Sequence, residues 1–283
     1  MKTINLKINC LPSPQDNQSE FNKNEVNRFL KNYKFENQNI LHIGKKSLIN
    51  IGKNIHNNRS VIIKSINKKT TELISQETKT LKKLVHAPGV IRFLDTFNIK
   101  NNVSFLVLEQ FGNGNLSEYL KINGCVSENT AKIIFKQIVN AVNDCIQFNI
   151  LHKKIQCNNI LINFKTLEIK LIDFNCTTAA DFPYIVLKKK NAYVPPEYFK
   201  FKRSTTNGII VWRLGIILYN LLYGKKPFYS SFDILNTPCV LPSSNYLSID
   251  VQNFIEWCLQ KNSFERMTFI EMLNHPWITN YWP

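Results

Sequence analysis

The chain has 283 residues, 44% hydrophobic and 12% aromatic, which is enough apolar material for a sizeable core and too much for a disordered chain. Its formal charge of +16 suits a phosphate-rich or acidic partner, but Asn, Ile and Lys abound throughout, so a lysine-rich surface reaches the same sum. No CxxC pair occurs among seven scattered cysteines, no apolar h-region marks a signal peptide, and the most apolar run, 215–223, is far below the ~18 residues of a membrane span.

Residues 1–32 are polar, with Pro12 and Pro14 early on, and read as a flexible leader with a short helix over 25–30. Extended segments follow at 39–44 and 48–52, then a turn at Asn57-Asn58 and a strand over 60–66, where Val61, Ile62 and Ile63 are β-branched. The spacing predicts a helix over 71–85, capped by Thr70, Thr71 or Ser75, and strands over 91–97 and 104–109. After Gly112-Asn113-Gly114 the character changes. Helices are expected over 116–122 and 127–148, the second opening on Ser127 as a capping residue, with Ile134, Ile138, Ala141 and Cys145 at helical spacing. Two short strands (159–162 and 169–172) precede helices over 196–199, 206–223, 251–259 and 269–273. A strand-rich front joined to a helix-rich back implies an α+β fold in two lobes.

Some residues carry chemistry. Lys64 ends an apolar strand, and Glu77 lies on the next helix, where its carboxylate is in reach of an ammonium. A long amphipathic helix then leads into Leu151-His152-Lys153-Lys154-Ile155-Gln156-Cys157-Asn158-Asn159-Ile160-Leu161, followed by Leu171-Ile172-Asp173-Phe174-Asn175. These two stretches resemble protein kinases, whose catalytic loop reads H-R-D-x-x-x-x-N and whose metal loop reads D-F-G. His152, Asn159, Asp173 and Phe174 match in order and register. Pro195-Pro196-Glu197 falls at the A-P-E position, with Arg266 where kinases place the arginine that pairs with that glutamate. Val211-Trp212-Arg213-Leu214-Gly215 is similar to V-W-S-L-G, and His275-Pro276-Trp277 to the usual closing segment. The resemblance runs from about Tyr33 to Trp277 and is strongest to the Pim-type Ser/Thr kinases, on Gly89-Val90-Ile91-Arg92-Phe93-Leu94-Asp95 and Tyr193-Val194-Pro195-Pro196-Glu197-Tyr198.

It implies a two-lobed protein kinase fold, with a small β-rich N-lobe over 33–110 and a larger, mainly helical C-lobe over 111–283. It also implies nucleotide contacts from Gly44, Ile51, Lys64, Glu77, Glu109, Phe111, Asn159 and Asp173. Asn159 and Asp173 would hold Mg²⁺, and His152, Glu197 and Arg266 would be structural.

The departures concentrate on the chemistry. Lys154 stands where the family has its catalytic aspartate. An ammonium has three donors and no acceptor, so it cannot take a substrate hydroxyl proton unless burial neutralises it. Gln156 replaces the lysine that contacts the transferred phosphate, and Lys189 and Lys190 replace the Gly-Thr pair that braces the loop. Of the G-x-G-x-x-G-x-V pattern only Gly44 survives, with Lys46 and Ile49 at the other glycine positions; Asn175 replaces the D-F-G glycine, a mild change because asparagine tolerates left-handed backbone. The central helix has Ile210 where many kinases have an aspartate. Thr177 and Thr178 are candidate phosphorylation sites in the activation segment.

The expectation is therefore a pseudokinase: a binding or regulatory module in a reducing intracellular compartment, cytoplasmic or nuclear. ATP and Mg²⁺ would bind weakly. Its partner would be a protein, namely an active kinase, a kinase substrate or a regulator, and neither a membrane nor nucleic acid. Two alternatives stay open: a weakly active Ser/Thr kinase with an atypical loop, and a basic nucleic-acid-binding protein.

Overall fold

In the computed structural model the described residues are 22–43, 47–67, 71–100, 103–185, 192–242 and 246–280. The chain divides into two units, residues 1–85 with 91–110, and residues 86–90 with 111–283.

The first unit is a five-stranded antiparallel sheet of order β1-β2-β3-β5-β4, with two helices. Its strands are β1 (Tyr33–Ile43), β2 (Ser47–Asn54), β3 (Ser60–Asn67), β4 (Phe93–Lys100) and β5 (Val103–Glu109), and its helices α1 (Lys23–Asn32) and α2 (Thr71–Lys83). The alternation of β2 buries Leu48 and Asn50, and β3 sets Val61 and Ile63 into the core.

Helix α1 contains the short helix expected over 25–30 and extends it to 23–32: Asn22 caps the helix by accepting from the Glu25 N–H, and Val26 and Phe29 are buried. Phe29 meets Phe97 and Phe105 edge-on, with ring centroids 5.3 and 5.0 Å away, inside a cluster that also holds Tyr33, Val61, Ile63 and Val107. Arg28 ties the same helix to β4 by donating to Asp95 at 2.9 and 3.1 Å. Strand β1 also begins earlier than 39, at Tyr33, because its pairing with β2 runs from Tyr33↔Asn54 to Ile43↔Leu48 around a bulge. Ser75 lies inside α2 and does not cap it.

The second unit is helical around a small three-stranded sheet, β6 (Gly114–Asn115), β7 (Ile160–Ile162) and β8 (Ile169–Leu171), in the order β6-β7-β8. Its helices are α3 (Leu116–Asn123), α4 (Glu128–Gln147), α5 (Pro196–Phe201), α6 (Thr206–Tyr223), α7 (Ser231–Asn236), α8 (Ile249–Cys258), α9 (Phe269–Asn274) and α10 (Pro276–Thr279). Helix α6 is apolar all round and lies at the centre, which is why its sequence lacks a polar stripe. Gly215 lets α8 approach it: a Cβ there would meet that of Cys258 at 2.6 Å. Ser127 caps α4, accepting from the Thr130 N–H. Strand β6 and helices α7 and α10 have no counterpart in the sequence reading. They are only two to six residues long, too short for hydrophobic periodicity to register. Among the described residues no helix is long and apolar enough to cross a membrane, and six cysteines are free.

Candidate functional site

In the first unit β3 and α2 bring Lys64 and Glu77 together. The Lys64 ammonium donates to both carboxylate oxygens of Glu77, at 2.8 and 3.1 Å, and both side chains are buried. Such a pair is costly to desolvate, so it holds by its geometry: two charge-assisted bonds span helix and sheet. Ile49 faces Lys64 across the β2–β3 ladder, and Ile51 faces Ile62. Glu109 closes β5, where its carboxylate accepts from the Arg92 N–H at 2.8 Å. Gly44 and Lys46 lie outside the described residues.

In the second unit, other expected residues gather around one loop. The 3-10 turn Cys157–Asn159 runs into β7, and β8 delivers Asp173 two residues beyond its end. Asn159 donates through its side-chain amide to the Lys154 carbonyl at 2.9 Å, and its own carbonyl accepts from the Ile172 N–H at 3.0 Å. His152 is buried beside them. Its Nε2 donates to the Ile172 carbonyl at 2.9 Å and its Nδ1 accepts from the Lys154 N–H at 3.3 Å, so one neutral tautomer satisfies both ring nitrogens. Burial pushes this imidazole down to about 4, against the pull of the Ile172 carbonyl and of Asp173. The ring lies edge-on to Phe174, 4.6 Å between centroids. His152 is therefore a packing element and not a base.

Lys154 reaches into this arrangement with its charge intact. Its Nζ lies 2.7 Å from Asp173 Oδ2 and 2.7 Å from Asn175 Oδ1. Burial works against the ammonium, but the hydrogen bond and charge of Asp173 outweigh it, and the pKa is raised above its ordinary value. Neutral Lys154, the one state able to accept a proton, is thus disfavoured at neutral pH. Asp173 has left-handed backbone (φ 68°, ψ 59°), whereas Asn175 is absent from the positive-φ residues. Position 175 therefore does not use the left-handed tolerance of asparagine; its amide oxygen instead accepts from Lys154.

Mg²⁺ is the metal that kinases place at this aspartate. The donors as arranged do not fit it, because the Asp173 carboxylate oxygen and the Asn175 amide oxygen are already shared by a cation of the chain itself. Among the described residues no three His, Cys, Asp or Glu side chains gather in a metal-holding group.

Two neighbours escaped the sequence reading. Arg213 is a buried guanidinium that donates to the Ile155 carbonyl at 3.4 Å, and its Nε has no hydrogen-bond partner. Burial pushes its pKa down to about 10, with Tyr193 opposing. It thus supports the loop from α6, one turn beyond Ile210. Ser204 is the other. Its hydroxyl donates at 2.6 Å to Glu197, which Arg266 grips in a bidentate pair at 3.0 and 2.9 Å while also donating to the carbonyls of Gly208 and Gln260. A Cβ on Gly208 would stand 2.6 Å from Glu197 Oε1, so glycine there makes room for the carboxylate. The sequence names Arg213 only as part of the Val211–Gly215 motif, and packing alone shows it buried.

Of the other expected residues, Glu109 belongs to the first unit and Phe111 to the second, with Lys170 Nζ 5.3 Å from the Phe111 ring centroid. Thr177 is buried and donates to the Phe174 carbonyl at 3.3 Å, which removes it as an accessible phosphorylation site. Thr178 bridges to Leu151 through the backbone. Lys189 and Lys190 lie outside the described residues.

A sequence profile described as Protein kinase domain matches residues 35–278 of the chain. Serine/threonine-protein kinase prk-2 of Caenorhabditis elegans is 32% identical over 210 residues, covering 73% of this chain and 48% of the relative. Serine/threonine-protein kinase pim-2 of Danio rerio is 32% identical over 193 residues, covering 67% and 61%. Probable serine/threonine-protein kinase MARK-A of Dictyostelium discoideum is 29% identical over 237 residues, covering 79% and 22%. The chain thus spans about half the length of the first of these relatives, three fifths of the second and a fifth of the third.

Proposed function

Since the chain belongs to the protein kinase family over residues 35–278, we propose that it is a Ser/Thr-kinase-like pseudokinase, a binding or regulatory module with little or no phosphotransfer. One observation carries this reading: the side chain at the catalytic position is an ammonium already committed to Asp173 and Asn175, 2.7 Å from each. Phosphoryl transfer rests on positioning and charge, and a carboxylate at that point orients the substrate hydroxyl and accepts its proton. Lys154 presents only donors. Removing a general base typically costs ~10²–10⁴-fold in rate. Gln156 removes a second contact to the transferred phosphate. The rest of the scaffold is built: Glu197–Arg266 is fully bonded, and His152 is satisfied at both nitrogens. A kinase-shaped surface kept beside a compromised loop suits competition or scaffolding with a protein partner, such as an active kinase, its substrate or a regulator, in the cytoplasm or nucleus.

A second reading, a weakly active Ser/Thr kinase, is favoured by the bidentate Lys64–Glu77 pair, which in kinases holds the α- and β-phosphates. Phosphotransfer from ATP to a generic Ser/Thr peptide separates the two. The pseudokinase reading expects wild-type turnover at background. Robust metal-dependent turnover abolished by Asp173→Ala refutes it, and a low rate abolished by the same change supports the second reading.

A further inference from the structure

We propose that Lys154 is a tethered cation that stands in for the divalent metal at Asp173, so that this loop takes neither Mg²⁺ nor Mn²⁺ in the wild-type chain. Lys154 in this role deepens the reading of the loop as catalytically silent and rests on it for the identity of the metal seat.

Three features converge on the ammonium. It contacts two oxygens, Asp173 Oδ2 and Asn175 Oδ1, each at 2.7 Å, as a cation would in a seat offering one carboxylate and one amide. Asn175 stands where the D-F-G pattern has a glycine without a side-chain oxygen, so the second ligand to the ammonium comes from a departure from that pattern. The main chain of Lys154 is held on both sides, its N–H by His152 Nδ1 at 3.3 Å and its carbonyl by the Asn159 amide at 2.9 Å, which fixes the root of the side chain beside the seat. The pair is only partly shielded, with 34% of the Lys154 and 25% of the Asp173 side chain exposed, so the ammonium can swing aside. It cannot leave the neighbourhood. Even at the dielectric of water, a divalent ion held about 6 Å from an ammonium loses about tenfold in affinity, and a drier site loses more. Compensation of Asp173 is thereby intramolecular and independent of metal supply.

The test titrates Mn²⁺ alone into the full chain and reads free Mn²⁺ by its electron paramagnetic resonance signal. Wild type is expected to show no saturable site that depends on Asp173. Lys154→Met, and Lys154→Gln as a second variant of unchanged fold by thermal melting, should each bind Mn²⁺ at least about tenfold more tightly than wild type. That gain should vanish when Asp173→Asn is added. A saturable wild-type site lost on Asp173→Asn overturns the inference, and so does the absence of any gain in both folded Lys154 variants. The outcomes are separable from those for function: metal bound without phosphotransfer overturns the tethered cation alone, whereas turnover that persists in excess chelator overturns the silent loop alone.

Discussion

Glu197→Ala strips the counter-ion from a guanidinium whose side chain is 0% exposed and which donates to both carboxylate oxygens, at 3.0 and 2.9 Å. The two remaining acceptors of Arg266, the carbonyls of Gly208 and Gln260, cannot replace a full negative charge, and the Ser204 hydroxyl loses its acceptor as well. Breaking a buried pair from one side typically costs about 3–5 kcal/mol. For a unit of about 180 residues the entropy of unfolding is near 0.4 kcal/mol/K, so this loss lowers Tm by about 8–13 °C. Calorimetry reads the shift in Tm, and urea melts give the free energy separately. Glu197→Leu combined with Arg266→Met removes both charges and leaves no buried charge uncompensated, only the Ser204 hydroxyl and the Gly208 and Gln260 carbonyls short of a partner, so it is expected to melt within about 1–2 kcal/mol of wild type, well above either single variant. A single-variant loss under about 1 kcal/mol, or a double variant as unstable as the sum of the singles, would refute the assignment of Glu197–Arg266 as a buried, mutually dependent pair.

His152 gives a pH dependence of known sign. Its folded-state pKa, about 4, lies below the ordinary 6.5, so between these values the unfolded chain binds more protons. The His152 contribution is present above pH 6.5 and is lost as pH falls toward 4, on the order of 3 kcal/mol in all. Comparing urea melts of wild type and His152→Gln across pH 4–7 should show a shallower slope in the variant; parallel slopes would show that His152 titrates normally. In the first unit, Phe29→Ala empties a fully buried site between Phe97 and Phe105 and is expected to cost about 3–5 kcal/mol, read by the loss of protection of α1 and β4 amides in hydrogen exchange. A cost below about 1 kcal/mol would mean that α1 is not part of that core.

Much of this protein is legible along the chain. Ordered matches at His152, Asn159, Asp173, Glu197 and Arg266 specify a kinase domain, because each motif is a local string whose spacing survives without coordinates. The long elements are legible too: α6 is predicted with its observed ends, and α4 to within a residue, since an apolar stripe or run of such length has one consistent reading. The replacement of an acceptor by a donor at Lys154 is likewise a fact of sequence.

Tertiary structure decided what the local pattern leaves undetermined. The short helix expected over 25–30 is legible along the chain, but not its place in the core: its buried face, Val26 and Phe29, acquires meaning only against Phe97 and Phe105, some seventy residues away. Arg213 is only one letter of a helix motif along the chain, and packing alone shows it buried and donating to the Ile155 carbonyl. The destination of the Lys154 ammonium, onto Asp173 and Asn175, depends on two segments about twenty residues apart meeting within hydrogen-bond reach. Side-chain type follows from sequence, but whether a charge is solvated, paired or buried depends on which distant groups surround it, and that is a property of the fold.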